Sequence, residues 1–117
     1  MPSGPMDEGS EEMQKLVTKA IEGKAPALYE TDIEGRDPFE AVAVAHYFSV
    51  FNGWDWYMTE YDPASRMAYG FVNGLEGEFG YFSIAEFEQA NKAAGFELIE
   101  RDAYWRPRRL SDIDRIG

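Results

Sequence analysis

At 117 residues the chain has the length for one domain and one core, and 44% hydrophobic with 15% aromatic content is ample to fill it. The absence of cysteine excludes disulfides and thiolate metal sites, and a single histidine, His46, excludes a multi-histidine zinc site. A net charge of −11 disfavours nonspecific binding to a phosphate backbone, and no apolar run approaches the roughly 18 residues of a membrane helix.

The charge is unevenly placed. Over residues 25–104, 15 carboxylates face only Arg36, Arg66, Lys92 and Arg101, so this stretch carries the whole net charge. Arg106, Arg108 and Arg109 form the basic patch of the sequence. Residues 1–14 carry Asp7, Glu8, Glu11 and Glu12 where a secretory signal would have a basic region and an apolar stretch, so the expected location is cytoplasmic.

Residues 1–9 are rich in Pro, Gly and acid without periodicity, and they are predicted to be a disordered acidic N-terminus ahead of a single domain over 10–117. A helix is predicted from Ser10, with Glu11 and Glu12 at the positive end of its dipole, and with Met13, Leu16, Val17, Ala20 and Ile21 on one face until Gly23 ends it. Residues 26–37 are irregular, with Leu28 and Tyr29 as anchors. Strands follow over 42–51 and 54–61, separated by the hairpin signal Asn52-Gly53, and over 67–73 and 78–82, joined by a turn at Gly74 to Gly77. Four short strands in succession imply an antiparallel meander.

At Ser83 the period changes. Ser83-Ile84-Ala85-Glu86 is a capping box, and Ile84, Phe87, Ala90, Asn91 and Ala94 recur at helical spacing until Gly95. A last strand over 96–105 is expected to join the same sheet and to end at Pro107, and a helical turn capped by Ser111 is predicted near Leu110. The fold class is therefore α+β: a meander sheet of about five strands, an N-terminal helix, and a helix at about 84–94 packed on the sheet through Phe87 and Ala90.

The candidate site residues are mostly acidic. Of the carboxylates Glu60, Asp62, Glu78, Glu100 and Asp102, Glu60 and Glu78 fall near strand ends, and Glu100 and Asp102 share one face of the last strand at i and i+2. Convergence of these groups would give hard oxygen ligands for Mg²⁺ or Mn²⁺ and a metal-dependent enzyme acting on nucleic acid. Satisfaction by Arg101 and nearby backbone would instead make them a structural ion-pair network, and no lysine stands in the Glu-x-Lys spacing of a restriction-type nuclease. No catalytic residue, metal site or cofactor is therefore assigned. His46 shows no orienting neighbour in the sequence and reads as a histidine satisfied within its strand. The serines lack a G-x-S-x-G setting. Gly70, Gly74, Gly77 and Gly80 precede no Lys-Ser/Thr, so they read as hairpin and close-packing glycines. Trp54 and Trp56 share a strand face, but base stacking on Trp56 would want a basic groove, and its neighbours are Asp55, Glu60 and Asp62.

In order along the chain stand Pro26-Ala27-Leu28-Tyr29, Trp56 with Thr59-Glu60 and Asp62, Tyr69-Gly70, Glu78-Phe79-Gly80-Tyr81 with Ser83 and Glu86, and Glu100-Arg101-Asp102. In this pattern the chain resembles the family called domain of unknown function 2958 over roughly residues 25–110, with His46 where that family commonly has a lysine. The resemblance implies plasmids, integrative elements and phage-like islands as the genetic setting. With the composition, it leads to an expected function: a non-enzymatic accessory protein of mobile or phage-like DNA. Its acidic surface would bind a basic protein partner, without membrane or direct nucleic-acid binding. The alternatives are the metal-dependent enzyme and a module binding a small cationic ligand.

Overall fold

Period-two alternation of large side chains builds the centre of the molecule. The computed structural model describes residues 13–116. Its main sheet has five antiparallel strands: β2 (Ala45–Ser49), β3 (Asp55–Asp62), β4 (Met67–Asn73), β5 (Gly77–Ser83) and β6 (Ile99–Arg101), in spatial order β5-β4-β3-β2-β6. The meander is the one expected, and the final strand adds to it beside β2. A two-stranded annex, β1 (Val42–Ala43) with β7 (Arg108–Arg109), was not foreseen.

The two faces of the sheet have separate cores. On one face, helix α2 (Ile84–Ala94) lays Phe87 on Phe82, Trp56 and Tyr47. Each such ring stabilises the fold by about 1.5–3 kcal/mol when fully buried. The Ser83 hydroxyl accepts the Glu86 N–H at 3.1 Å, and Gly95 closes the helix with φ 80°, as the capping box and glycine predict. Buried Asn91 clamps the last strand to α2, because its amide donates to the Ile99 carbonyl and accepts the Ile99 N–H, both at 3.0 Å. The opposite face gathers Ala43, Tyr57, Phe71, Leu110 and Ile113, flanked by Phe39, Phe79 and Trp105.

Three expectations need correcting. The N-terminal helix α1 spans only Lys19–Lys24, capped by Thr18, and Gly23 lies inside it. Met13 to Val17 are not helical, and the proposed cap Ser10 lies outside the described residues, as does the predicted disordered segment 1–9. The physical reason is tertiary: the Gln14 side-chain amide pairs with the Arg101 backbone at 2.7 Å in both directions, and the Leu16 carbonyl accepts the buried Tyr47 hydroxyl at 2.6 Å. Strand β6 covers three residues instead of ten, because the chain turns at Asp102, where the Trp105 N–H bonds back to its carbonyl. The Leu110 turn exists as two short 3₁₀ helices, Leu110–Asp112 and Asp114–Ile116, and no side chain caps the first.

A β-bulge on β3 decides what the second face displays. Met58 pairs with Gly70, but Glu60, not Thr59, pairs with Tyr69. The extra residue inverts the alternation, so Glu60 stands on the same face as Tyr57 and Tyr61 returns to the α2 side. Gly70 is what the bulge requires: a Cβ there would lie 1.8 Å from the Tyr57 carbonyl oxygen. Gly80, grouped with it from the sequence, faces open space.

Candidate functional site

The second face carries two polar centres. At the first, His46 on β2 is held between Asp55 of β3 and Asp102 just beyond β6. Its Nε2 lies 3.0 Å from Asp55 Oδ2 and its Nδ1 lies 3.1 Å from Asp102 Oδ2. The ring stacks on Tyr57 at 4.6 Å with an 11° tilt, and the Tyr57 hydroxyl donates to Asp55 at 3.0 Å. Trp105 closes the side at 5.1 Å, with its indole N–H donating to the Ala43 carbonyl and Arg108 lying 4.1 Å over its ring. A cleft of about 360 Å³ opens beside His46, Trp54 and Asp102.

The sequence reading found no orienting neighbour for His46, yet the structure supplies two. A general base needs one ring nitrogen oriented and the other turned to substrate. Here both nitrogens face carboxylates. The arrangement locks β2, β3 and the end of β6 together.

At the second centre, Glu60 is only 3% exposed. Its carboxylate accepts the Tyr29 N–H at 2.8 Å, the Thr31 N–H at 2.9 Å and the Thr31 hydroxyl. These bonds pin the loop after α1, where Tyr29 adopts φ 70°, a left-handed conformation that non-glycine residues adopt at a cost. Pinning the loop forms a cleft of about 240 Å³ walled by Tyr29, Tyr69, Phe79 and Tyr81, with Glu60 at its base and Asp32 and Arg36 at the rim. The rings touch in sequence: Tyr29 to Tyr81 at 6.4 Å, Tyr81 to Tyr69 at 4.9 Å, Tyr69 to Phe79 at 6.2 Å. Burial, then the Glu60 and Asp32 charges, push the Tyr69 phenol up. A hydrogen bond with Tyr29 and then desolvation, with Glu60 among the further causes, push Tyr81 up to about 12. Glu60 contributes to both shifts, behind burial at Tyr69 and behind the Tyr29 hydrogen bond and desolvation at Tyr81.

The other candidate residues stand apart from this centre. Asp62 accepts the Ala64 and Ser65 N–H groups and the Ser65 hydroxyl, and the hydroxyl bond, the largest cause, holds its carboxyl below the usual range. Glu78 is exposed on edge strand β5, opposite Val72. Glu100 pairs with Phe48 across β2 and β6. Arg101 donates to the Lys15 carbonyl at 2.8 Å, and Asp102 turns to His46. Trp56 lies on the α2 side, 4.8 Å from Phe87. Among the described residues, no group of three or more His, Asp or Glu is placed to hold a metal ion, and no helix is long and apolar enough to cross a membrane.

The residues that sequence reasoning missed are Asp55, Tyr57 and Trp105 at the first centre and Tyr29, Tyr69, Phe79 and Tyr81 at the second. The alternation Tyr69-x-Phe71 and Phe79-x-Tyr81 was the available signal, since period two puts each pair on one strand face.

The family described as "Protein of unknown function (DUF2958)" matches residues 11–113, most of the chain. The chain belongs to this family. The match covers both polar centres, so the sheet and the face that displays them lie within the family domain. No curated protein and no solved structure matches the chain.

Proposed function

We propose that this family member is a non-enzymatic binding protein that takes a basic protein partner on an acidic surface, as an accessory protein of mobile or phage-like DNA. The observation that carries the reading is the dispersal of the candidate carboxylates. Glu60 is bonded to backbone, Asp62 to its own turn and Asp102 to His46, while Glu78 stands exposed on a sheet edge. Charge arranged in this way is not gathered around a reacting atom. Exposed acids are instead abundant: Glu30, Asp32, Glu34 and Asp37 crowd the loop beside the Tyr29 cleft, and Glu76 and Glu78 mark the β4–β5 hairpin. Such a surface steers a cationic partner and repels nucleic acid.

The test is association of the intact protein with an oligo-arginine peptide. Binding should weaken steeply as salt rises, since exposed charges are screened over about 8 Å at physiological ionic strength. Charge reversal at Glu34 and Glu78 should slow association more than it speeds dissociation. Mg²⁺- or Mn²⁺-dependent cleavage of DNA or RNA that is lost on Glu78→Gln or Asp102→Asn would overturn the reading in favour of a metal-dependent enzyme.

A further inference from the structure

We infer that the cleft walled by Tyr29, Tyr69, Phe79 and Tyr81 over Glu60 receives the planar guanidinium of a single arginine side chain from the basic partner. The inference rests on the binding reading above and names the contact that would make it specific.

Three features of the cleft point to this occupant. The first is charge. Glu60 is buried, and its described partners are two backbone N–H groups and a hydroxyl, which are neutral donors. They occupy three of its roughly four lone-pair sites without cancelling its charge, and a buried charge calls for an opposite one. Asp32 adds a second negative charge at the rim.

The second feature is the wall. Aromatic faces attract a cation within about 6 Å of the ring centre, and a guanidinium stacks flat on them while its N–H fork reaches acceptors at the edge. Tyr29 and Tyr81 remain 69% and 49% exposed, although both rings stand against other aromatics. Lysine suits this site less well, because its ammonium is compact and strongly hydrated.

The third feature is size. A cleft of about 240 Å³ falls below the roughly 300–1,000 Å³ of sites for drug-sized ligands, so it fits a side-chain head group better than a metabolite. Arg36 already lies at the rim, with its guanidinium donating to the Glu40 carbonyl at 3.2 Å. Its positive charge opposes an incoming cation, so removing it should tighten binding.

The experiment follows backbone amide shifts of the full chain during titration with Nα-acetyl-arginine amide, and with the neutral isostere Nα-acetyl-citrulline amide as control. The arginine probe should saturate in the roughly millimolar range, with shifts centred on Tyr29, Thr31, Glu60, Tyr69 and Tyr81, and citrulline should leave these amides unmoved. Tyr81→Leu, at an exposed edge-strand position, should weaken the arginine probe about three- to tenfold, as loss of one cation–π wall predicts. Arg36→Gln should strengthen it, a gain that a purely structural role for the loop would not produce. Equal response to citrulline, or no loss in Tyr81→Leu with its fold intact by amide dispersion, would overturn the inference. If the single-residue probe fails while the oligo-arginine peptide still binds in a salt-dependent way, the cleft is not the arginine site and the acidic-surface reading stands. If both probes fail, the acidic-surface reading fails with it.

Discussion

Two buried carboxylates on the same sheet face, Asp55 and Glu60, are 1% and 3% exposed, yet they are treated in opposite ways. Asp55 faces the His46 ring and the Tyr57 hydroxyl, side chains of the same sheet face, and Asp102 closes on the ring from the other side. Glu60 is answered by the Tyr29 and Thr31 N–H groups and the Thr31 hydroxyl, which carry no formal charge. The His46 end is therefore a strut between strands. The Glu60 end keeps its negative field and displays it in an open cleft. Burial alone does not mark a functional carboxylate; the kind of partner it has decides.

Changes that attack this difference should rank by how much backbone they disturb. The largest effect is expected for Gly70→Ala. Its Cβ would fall 1.8 Å from the Tyr57 carbonyl, a rigid backbone atom, and the bulge that turns Glu60 onto the face would have to rearrange. A loss of about 4 kcal/mol or more, or failure to fold, is expected in denaturant unfolding. Gly80→Ala, two strand positions from Phe82 in open space, should change stability by less than about 0.5 kcal/mol. Similar costs at both positions would mean that the bulge does not set the geometry.

Glu60→Ala should come next, at about 3 kcal/mol, because two N–H groups and a hydroxyl lose a charged acceptor together. Its exchange signature should be local, with faster amide exchange at Tyr29 and Thr31. His46→Leu should cost about 2–3 kcal/mol, the order for taking a hydrogen-bond partner from a buried carboxylate, but its disturbance should spread through β2 and β6 and spare the Tyr29 loop. Overlapping exchange patterns for the two variants would erase the distinction between strut and cleft.

How much of this was legible in the sequence follows from contact range. The α2 cap is a three-residue contact between Ser83 and Glu86, so a local pattern sufficed. The meander was legible because hairpin neighbours are close in sequence and Asn52-Gly53 marks one turn. The start of α1 was not, because Gln14 is drawn out of a helix by Arg101, 87 residues away. The annex of β1 and β7 depends on two residue pairs that no local signal announces. Glu60 was noticed as a carboxylate near a strand end, but its role depends on a bulge that inverts the alternation, and only Gly70 across the ladder hints at it. The tyrosine wall is written in the period-two spacing of β4 and β5, but the same spacing marks any packed strand face.

Smaller effects sharpen the picture. Ser83→Ala should cost about 1 kcal/mol by removing the Glu86 N–H acceptor, with no change at either polar centre. At high pH the cleft should loosen in a defined window. The Tyr81 phenol is raised from an ordinary value of 10.0 to about 12, so the folded state favours its neutral form. That contribution is fully present below about pH 10 and is lost as pH rises through about 12. Phenolate absorbance of the protein minus that of Tyr81→Phe should therefore titrate near 12; a difference that titrates near 10 would mean that the Tyr29 hydrogen bond and desolvation do not hold the Tyr81 phenol.

The most direct measurement maps where a basic ligand lands. Amide shifts of the intact protein should be followed during titration with an oligo-arginine peptide, first at low and then at high salt. The account predicts shifts concentrated on residues 29–36 and on Glu60, Tyr69 and Tyr81, fading as salt rises. Shifts centred on His46, Asp55 and Asp102, or a response indifferent to salt, would contradict it.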